Sequence, residues 1–178
     1  MFTSLVTALA GFLLLLPVSY KTVETPLFDP ILEHQVFDLV NQEREKHGLD
    51  PLYFDNELIK VARTHSQAMA EQNFFSHYSP DGHRLSDRIN AVKIGFEVVG
   101  ENLFRSHGYK NPGGLCIQDW MESRGHRDNI LYAPFVRAAV GAYRMGNVIL
   151  ITEVYLKEPA LTKTARSYHN QQRDNQSS

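Results

Sequence analysis

Two apolar segments near the end of the chain constrain its fold more than any other feature. Residues 138–143 and 148–156 are dominated by Ala, Val, Ile, Leu and Tyr, and they are joined through Met145-Gly146-Asn147. Apolar runs of this length, separated by a short connection that contains glycine, are typical of a β-hairpin. We therefore expect two neighbouring antiparallel strands at the end of the folded domain.

Helical spacing of apolar residues fills most of the chain before this hairpin. Asp29-Pro30 predicts the start of a first helix, since Asp is a favoured N-cap and Pro a favoured first residue, and Gly48 predicts its end. Apolar spacing predicts further elements, with helices over residues 55–73, 85–92 and 115–123 and a strand over 94–103. Helices followed by a hairpin indicate an α+β fold in which a small antiparallel sheet is covered by helices.

The length and charge of the chain narrow the classes of function. A chain of 178 residues suits one domain with terminal extensions. Its 18 Lys and Arg residues and 20 Asp and Glu residues leave a net charge of −2. Because no excess of positive charge attracts nucleic acid or an anionic membrane surface, we expect no nucleic-acid partner. We also expect a monomeric protein.

The two ends of the chain differ from the middle. Residues 5–18 carry no charge and are strongly apolar, which is typical of the hydrophobic region of a secretory signal and too short to span a bilayer comfortably. An uncleaved anchor and a buried N-terminal helix are the alternatives. We predict a signal peptide or anchor at 1–19, a linker at 20–28, the domain at 29–157 and a disordered polar tail at 158–178. The protein is then secreted or extracytoplasmic, and it contacts a membrane only through an uncleaved N-terminal segment.

Cys116 is the single cysteine, so the chain cannot form an internal disulfide. The stability of the domain must therefore come from packing. We expect Cys116 to be a small buried hydrophobic residue.

Three separate polar residues are candidates for chemistry. His77, Glu101 and His126 each lie beside glycine or a turn signal, which is how a fold gathers polar groups into one cleft. Imidazole and carboxylate groups together hold a divalent cation or relay protons near neutral pH. Spacing along the chain does not establish that the three side chains converge, so both roles stay open at this point.

The segments that contain these residues, taken in order, resemble one known family. Residues 75–82 (FSHYSPDG), 100–103 (GENL) and 123–131 (SRGHRDNIL) are similar to the motifs of the CAP superfamily in its bacterial, disulfide-free form. That superfamily comprises the cysteine-rich secretory proteins, antigen 5 and pathogenesis-related 1. The resemblance covers residues 39–156 and implies an α-β-α sandwich. It also implies a cleft with two histidines and two acids, in which His77, Glu101 and His126 are candidate metal ligands.

The chain departs from the family pattern at the second acid. The position three residues after Trp120, acidic in the animal and plant proteins, is Ser123 here. Glu122 is a poor substitute because one step along a helix turns a side chain by about 100°. Glu153 faces either the same cleft or open solvent, and the remaining support residues of the predicted cleft are Asn102, Ser123 and Asn129.

The resemblance implies binding more strongly than it implies a reaction. We expect a cleft that takes a divalent cation such as zinc, a small ligand, or an extracellular or cell-envelope partner, and we assign no catalytic residue. A cation-dependent hydrolase of peptide, ester or cell-wall bonds is one alternative. A carrier of lipid or sterol is the other.

Overall fold

A small sheet lies between two layers of helices in this protein. The structure is a computed structural model that describes residues 27–108 and 110–160. Its elements in chain order are β1 (Leu27–Phe28), α1 (Pro30–Lys46), β2 (Tyr53–Phe54), α2 (Leu58–Glu71), α3 (Leu85–Ala91), β3 (Val98–His107), α4 (Pro112–Glu122), α5 (Arg124–Ile130), β4 (Arg137–Met145) and β5 (Val148–Lys157).

The predicted hairpin forms the centre of the sheet. The long strands lie in the order β4-β5-β3, with both pairs antiparallel, so β3 is an edge strand. β1 and β2 both pair with the other side of β4. Gly146 has φ 61° in the two-residue turn between β4 and β5, a backbone conformation that glycine adopts without a steric cost.

The two faces of the sheet carry different helices. α1, α4 and α5 pack on one face, over a core that includes Val36, Trp120 and Ile151. α2 and α3 pack on the other face, against residues such as Ala139 and Val154. These three layers confirm the α+β fold and the α-β-α sandwich that the sequence analysis expected.

The first residues of the helices show which of the predicted helix starts were correct. The Asp29 carboxylate accepts a hydrogen bond from Leu32 N at 3.0 Å, as predicted for the N-cap of α1. The second helix begins at Leu58, three residues later than predicted, because the Asp55 carboxylate accepts from the backbone of Glu57 and Leu58 in the preceding turn. α5 was not predicted at all.

A buried carboxylate accepts a hydrogen bond from the outer side of β4, between the segments that pair with β1 and β2. Glu33 on α1 is fully buried, and its Oε1 accepts from Ala142 N at 3.1 Å. Arg63 on α2 donates to both Glu33 oxygens, at 2.8 and 2.6 Å. The backbone of β4 is therefore satisfied where neither short strand reaches it.

The predicted signal or anchor at 1–19 lies outside the described residues, as do residues 161–178 of the predicted tail. Leu27–Phe28, the last two residues of the predicted linker, form β1, and the Phe28 ring packs edge-on against Tyr143 with a centroid distance of 5.2 Å. Within the described part of the chain, no helix has the length and apolarity needed to cross a membrane.

Candidate functional site

At the free edge of the sheet, a carboxylate on β3 forms a hydrogen bond with a histidine from a neighbouring loop. Glu101 lies on β3, and its Oε1 is 2.8 Å from Nδ1 of His77, which lies in the loop between α2 and α3. The Glu101 side chain is 3% exposed and the His77 side chain is 52% exposed. With Nδ1 engaged by the carboxylate, Nε2 is the His77 nitrogen available to a ligand from solvent.

Arg88 occupies the second oxygen of Glu101. Its Nη2 donates to Glu101 Oε2 at 2.6 Å and to the His77 carbonyl at 3.4 Å. Burial lowers the pKa of Arg88, and the negative charge of Glu101 opposes that shift. Glu101 therefore already has two partners, which makes it an orienting group for His77 rather than a free ligand.

The sequence analysis missed Arg88, although a signal was present. Leu85, Arg88, Ile89 and Val92 follow the i, i+3, i+4, i+7 spacing of one helical face. A charged residue on that apolar face must find a buried partner. The partner is Glu101, which the same analysis had assigned to the cleft.

His126 belongs to the other helical layer. It lies on α5, half-buried, with its ring 6.4 Å from the Trp120 ring. Burial lowers the pKa of His126, and the charge of His77 lowers it further. Its Nδ1 is buried and has no hydrogen-bond partner among residues 27–108 and 110–160.

An open hollow of about 390 Å³ adjoins His77 and Glu101. His77, Tyr78 and Arg84 line one side of it, and Gly100 and Glu101 line the other. A pocket of this size accepts a small ligand. The site thus combines a solvent-facing imidazole with an adjoining cavity at the edge of the sheet.

Two predicted support residues join the cleft strand to α5. Asn102 is fully buried, and its Nδ2 donates to the His126 carbonyl at 3.0 Å. Asn129 Nδ2 donates to the Glu101 carbonyl at 3.2 Å and to Asn102 Oδ1 at 2.9 Å. Both amides bond to the backbone of a cleft residue, and no hydrogen bond within the described ranges joins either amide to an imidazole ring.

Ser123 and Glu153 are the other two predicted support residues. Ser123 is the junction of α4 and α5, where its carbonyl accepts from Arg127 N at 2.9 Å. Glu153 is fully buried on β5, so open solvent, one of its two expected surroundings, is excluded. Its Oε2 accepts from the Tyr155 hydroxyl at 2.6 Å.

The described residues do not form a complete metal centre from protein groups. No three His, Cys, Asp or Glu side chains within them are placed to hold a metal ion together. His77 and Arg88 engage both oxygens of Glu101 with hydrogen bonds. The donors that remain are the imidazoles of His77 and His126.

The sequence matches one protein family over most of the folded region. The family model described as the cysteine-rich secretory protein family (CAP) matches residues 37–155. YkwD of Bacillus subtilis (strain 168) is 37% identical over 127 residues, which are 71% of this chain and 48% of YkwD. The membrane protein YlbC of the same organism is 37% identical over 63% of this chain and 32% of its own length. The chain thus spans half or less of the length of these two relatives.

Solved structures agree with this assignment. An extracellular protein of Bacillus anthracis str. Ames that contains an SCP domain superposes with a TM-score of 0.66 at 34% identity, covering 73% of this chain and 41% of that one. A cysteine-rich secretory protein of Staphylococcus aureus shares the fold, with a TM-score of 0.59 at 18% identity over 73% of this chain and 39% of its own. From the family match and the similarity to YkwD, the chain belongs to the CAP family of cysteine-rich secretory proteins.

Proposed function

We propose that this protein is an extracytoplasmic binding protein whose cleft takes a divalent cation such as zinc between His77 and His126. The observation that carries the proposal is the 2.8 Å contact between His77 Nδ1 and Glu101 Oε1. Histidines that bind metals usually donate their second ring nitrogen to a carboxylate in this way, which fixes the ring and raises the basicity of the ligand nitrogen.

The two imidazole nitrogens are suitable zinc ligands, but they provide only part of a complete zinc site. Zinc accepts neutral imidazole nitrogen, and four ligands complete its usual tetrahedron. Two protein ligands leave positions for water, a small ligand, or a group from an extracellular or cell-envelope partner. A protein of the same fold, NaASP2, has been crystallised with Zn²⁺, at 13% identity and a TM-score of 0.53.

Export is part of the same proposal. The apolar residues 5–18 have the composition of a secretory signal. The similar Bacillus anthracis protein is extracellular. A site open to solvent on one side is then accessible to ions and partners outside the cytoplasm.

Calorimetric titration of Zn²⁺ into the full chain tests the proposal. We expect His77→Ala and His126→Ala each to weaken binding at least about 10-fold, because each removes one ligand. Glu101→Gln keeps a hydrogen-bond acceptor and should weaken binding about 10-fold, as expected for a group that orients a ligand. His107→Ala, on the exposed end of the same strand, is the matched control and should bind as the parent does.

Two outcomes would contradict this assignment. A double variant, His77→Ala with His126→Ala, that bound Zn²⁺ as tightly as the parent would place any metal elsewhere. A parent chain that bound no Zn²⁺ at neutral pH would remove the cation from the proposed function.

A further inference from the structure

A second hollow lies between α2 and the loop that leads to α3. Its volume is about 570 Å³, and it is more enclosed than the hollow beside His77. Among the described residues, the two hollows share no lining residue. The polar side chains of the second hollow come from α2 (Thr64, His65), from the loop (Ser79, Asp81, His83) and from α3 (Arg88).

Arg88 brings unpaired hydrogen-bond donors to the second hollow. Its Nη2 donates to Glu101 Oε2 and to the His77 carbonyl. Its Nε and Nη1 are buried and have no partner within residues 27–108 and 110–160. Because Nε carries one N–H group and Nη1 carries two, three donors lack an acceptor. Leaving buried donors unpaired is costly, so Arg88 calls for a group that accepts.

His65 brings an unpaired acceptor to the same hollow. Its Nε2 lies 2.9 Å from the Ser76 carbonyl, and a carbonyl only accepts, so Nε2 carries the proton. Burial lowers the pKa of His65, which keeps the ring neutral and leaves a lone pair on Nδ1. That nitrogen is buried and has no partner in the described part of the chain. His65 therefore calls for a group that donates.

These two residues form the inner wall of the second hollow. His65 is 1% exposed, and the side chain of Arg88 is 11% exposed. The side chains of Asp81 and His83, in contrast, are both 63% exposed and form the rim. A ligand that enters past this rim meets a donor and an acceptor together.

The charges of the lining favour a neutral ligand over an ion. The Arg88 guanidinium is paired with Glu101 at 2.6 Å, and Asp81 Oδ2 lies 3.0 Å from Nδ1 of His83. Among the described lining residues, no excess of positive charge attracts an anion, and Arg88 disfavours a cation. The volume is also many times the roughly 30 Å³ of one water molecule, so the hollow has room for a larger polar molecule.

We propose that the second hollow binds a neutral polyhydroxyl ligand, such as a pyranose sugar, through Arg88 and His65. A hydroxyl oxygen both accepts and donates, so the adjacent hydroxyl groups of one ring satisfy both side chains. Ala68 and Pro80 add apolar surface for the carbon face of the ring. This site goes beyond the proposed cation site and does not depend on it, so it is tested without Zn²⁺.

Saturation-transfer NMR on the full chain near neutral pH tests this proposal. The neutral probes are glucose, galactose, mannose and N-acetylglucosamine, and the charged probes are glucuronate and inorganic phosphate. We expect at least one neutral sugar to bind with a Kd of about 1 mM, a value typical of a few hydrogen bonds to a small ligand. We expect the charged probes to bind at least about 10-fold more weakly, because the lining offers no uncompensated positive charge.

Two substitutions locate the binding in the second hollow. Ala68→Leu fills part of the hollow and leaves the hydrogen-bonding side chains in place, so sugar binding should be lost. Lys60→Leu adds the same side chain at an exposed position of α2 and should bind as the parent does. His65→Gln keeps a donor for the Ser76 carbonyl and removes Nδ1, which should weaken binding at least about 10-fold. His47→Gln, at an exposed histidine, is its matched control.

The ring nitrogens of His65 give a second readout. In ¹H–¹⁵N spectra of the imidazole, Nδ1 should carry no proton, and its signal should move when the sugar is added. A parent in which Nδ1 carries the proton would overturn the proposal. Urea unfolding checks that each variant is folded, and if His65→Gln is not, Ala68→Leu and the ring signals decide.

Three binding results would also overturn the proposal. The first is a parent that binds none of the neutral sugars, in which case the second hollow holds only water. The second is binding that Ala68→Leu leaves unchanged, which would place the sugar elsewhere on the protein. The third is tighter binding of glucuronate or phosphate than of any neutral sugar, which would make the hollow an anion site.

Discussion

Replacing Glu153 with glutamine should change how the stability of this protein depends on pH. In the folded protein burial raises the pKa of Glu153 to about 8, from an ordinary value of 4.5. The unfolded chain releases this proton near pH 4.5, whereas the folded chain retains it until about pH 8. The contribution of Glu153 to stability is therefore greatest below pH 4.5, and it falls as the pH rises toward 8.

The size of the effect follows from the difference between the two pKa values. The folded and unfolded pKa values differ by about 3.5 units. At about 1.4 kcal/mol per unit, this difference changes the free energy of unfolding by about 5 kcal/mol over the full pH range. Between pH 5 and pH 9 the free energy of unfolding of the parent should fall by about 4 kcal/mol through Glu153, and that of Glu153→Gln should not show this fall. Other titrating groups are common to both proteins and cancel in the comparison.

Urea unfolding at pH 5, 7 and 9, followed by fluorescence, measures this difference. Trp120 is the single tryptophan and is fully buried, so its emission reports loss of the core. Glu122→Gln, at an exposed glutamate, is the control. Its free energy of unfolding should change with pH in the same way as that of the parent. Parallel curves for Glu153→Gln and the parent would refute the assignment of Glu153 as a buried acid that ionises late.

Three further predictions concern packing, charge and thiol reactivity. Gly141→Ala should destabilise the domain by about 3 kcal/mol in thermal or urea unfolding, because an added Cβ would collide with the backbone of α2, whereas Gly125→Ala meets nothing within 4 Å and serves as the control. Arg88→Met should cost about 3 kcal/mol, because it leaves the buried charge of Glu101 without its cation; a loss below about 1 kcal/mol in urea unfolding would contradict the pairing. Cys116 is buried and its pKa is raised by burial, so a thiol reagent such as DTNB should react with it only as the protein unfolds; rapid reaction in native buffer would contradict this.

Features of this fold that depend on neighbouring residues could be predicted from the sequence. The N-cap at Asp29 and the glycine turn at Gly146 act within a few residues, and both lie where they were expected. The apolar periodicity of the helices and the two strands of the hairpin also indicated the α+β fold, and the family resemblance implied its three layers. His77 and Glu101 were assigned to one cleft through family motifs, and the structure places them in contact.

Features that depend on distant residues could not be predicted in the same way. Both faces of β5 are buried, so alternation along the strand did not show which layer Glu153 faces. α5 contains Gly125, a poor helix former, and it is held by Asn102 and Arg44 from other parts of the chain. Its sequence therefore resembled a turn.

The placement of the two histidines in opposite layers has a mechanical consequence. His77 follows α2 on one side of the sheet and His126 belongs to α5 on the other, and the layers meet at the edge strand β3. An ion bound by both rings would act as a removable cross-link between the layers, in a chain whose single cysteine rules out an internal disulfide. Occupancy of the cleft would then hold that edge of the domain together and raise its free energy of unfolding with the logarithm of the ion concentration once that concentration exceeds the Kd.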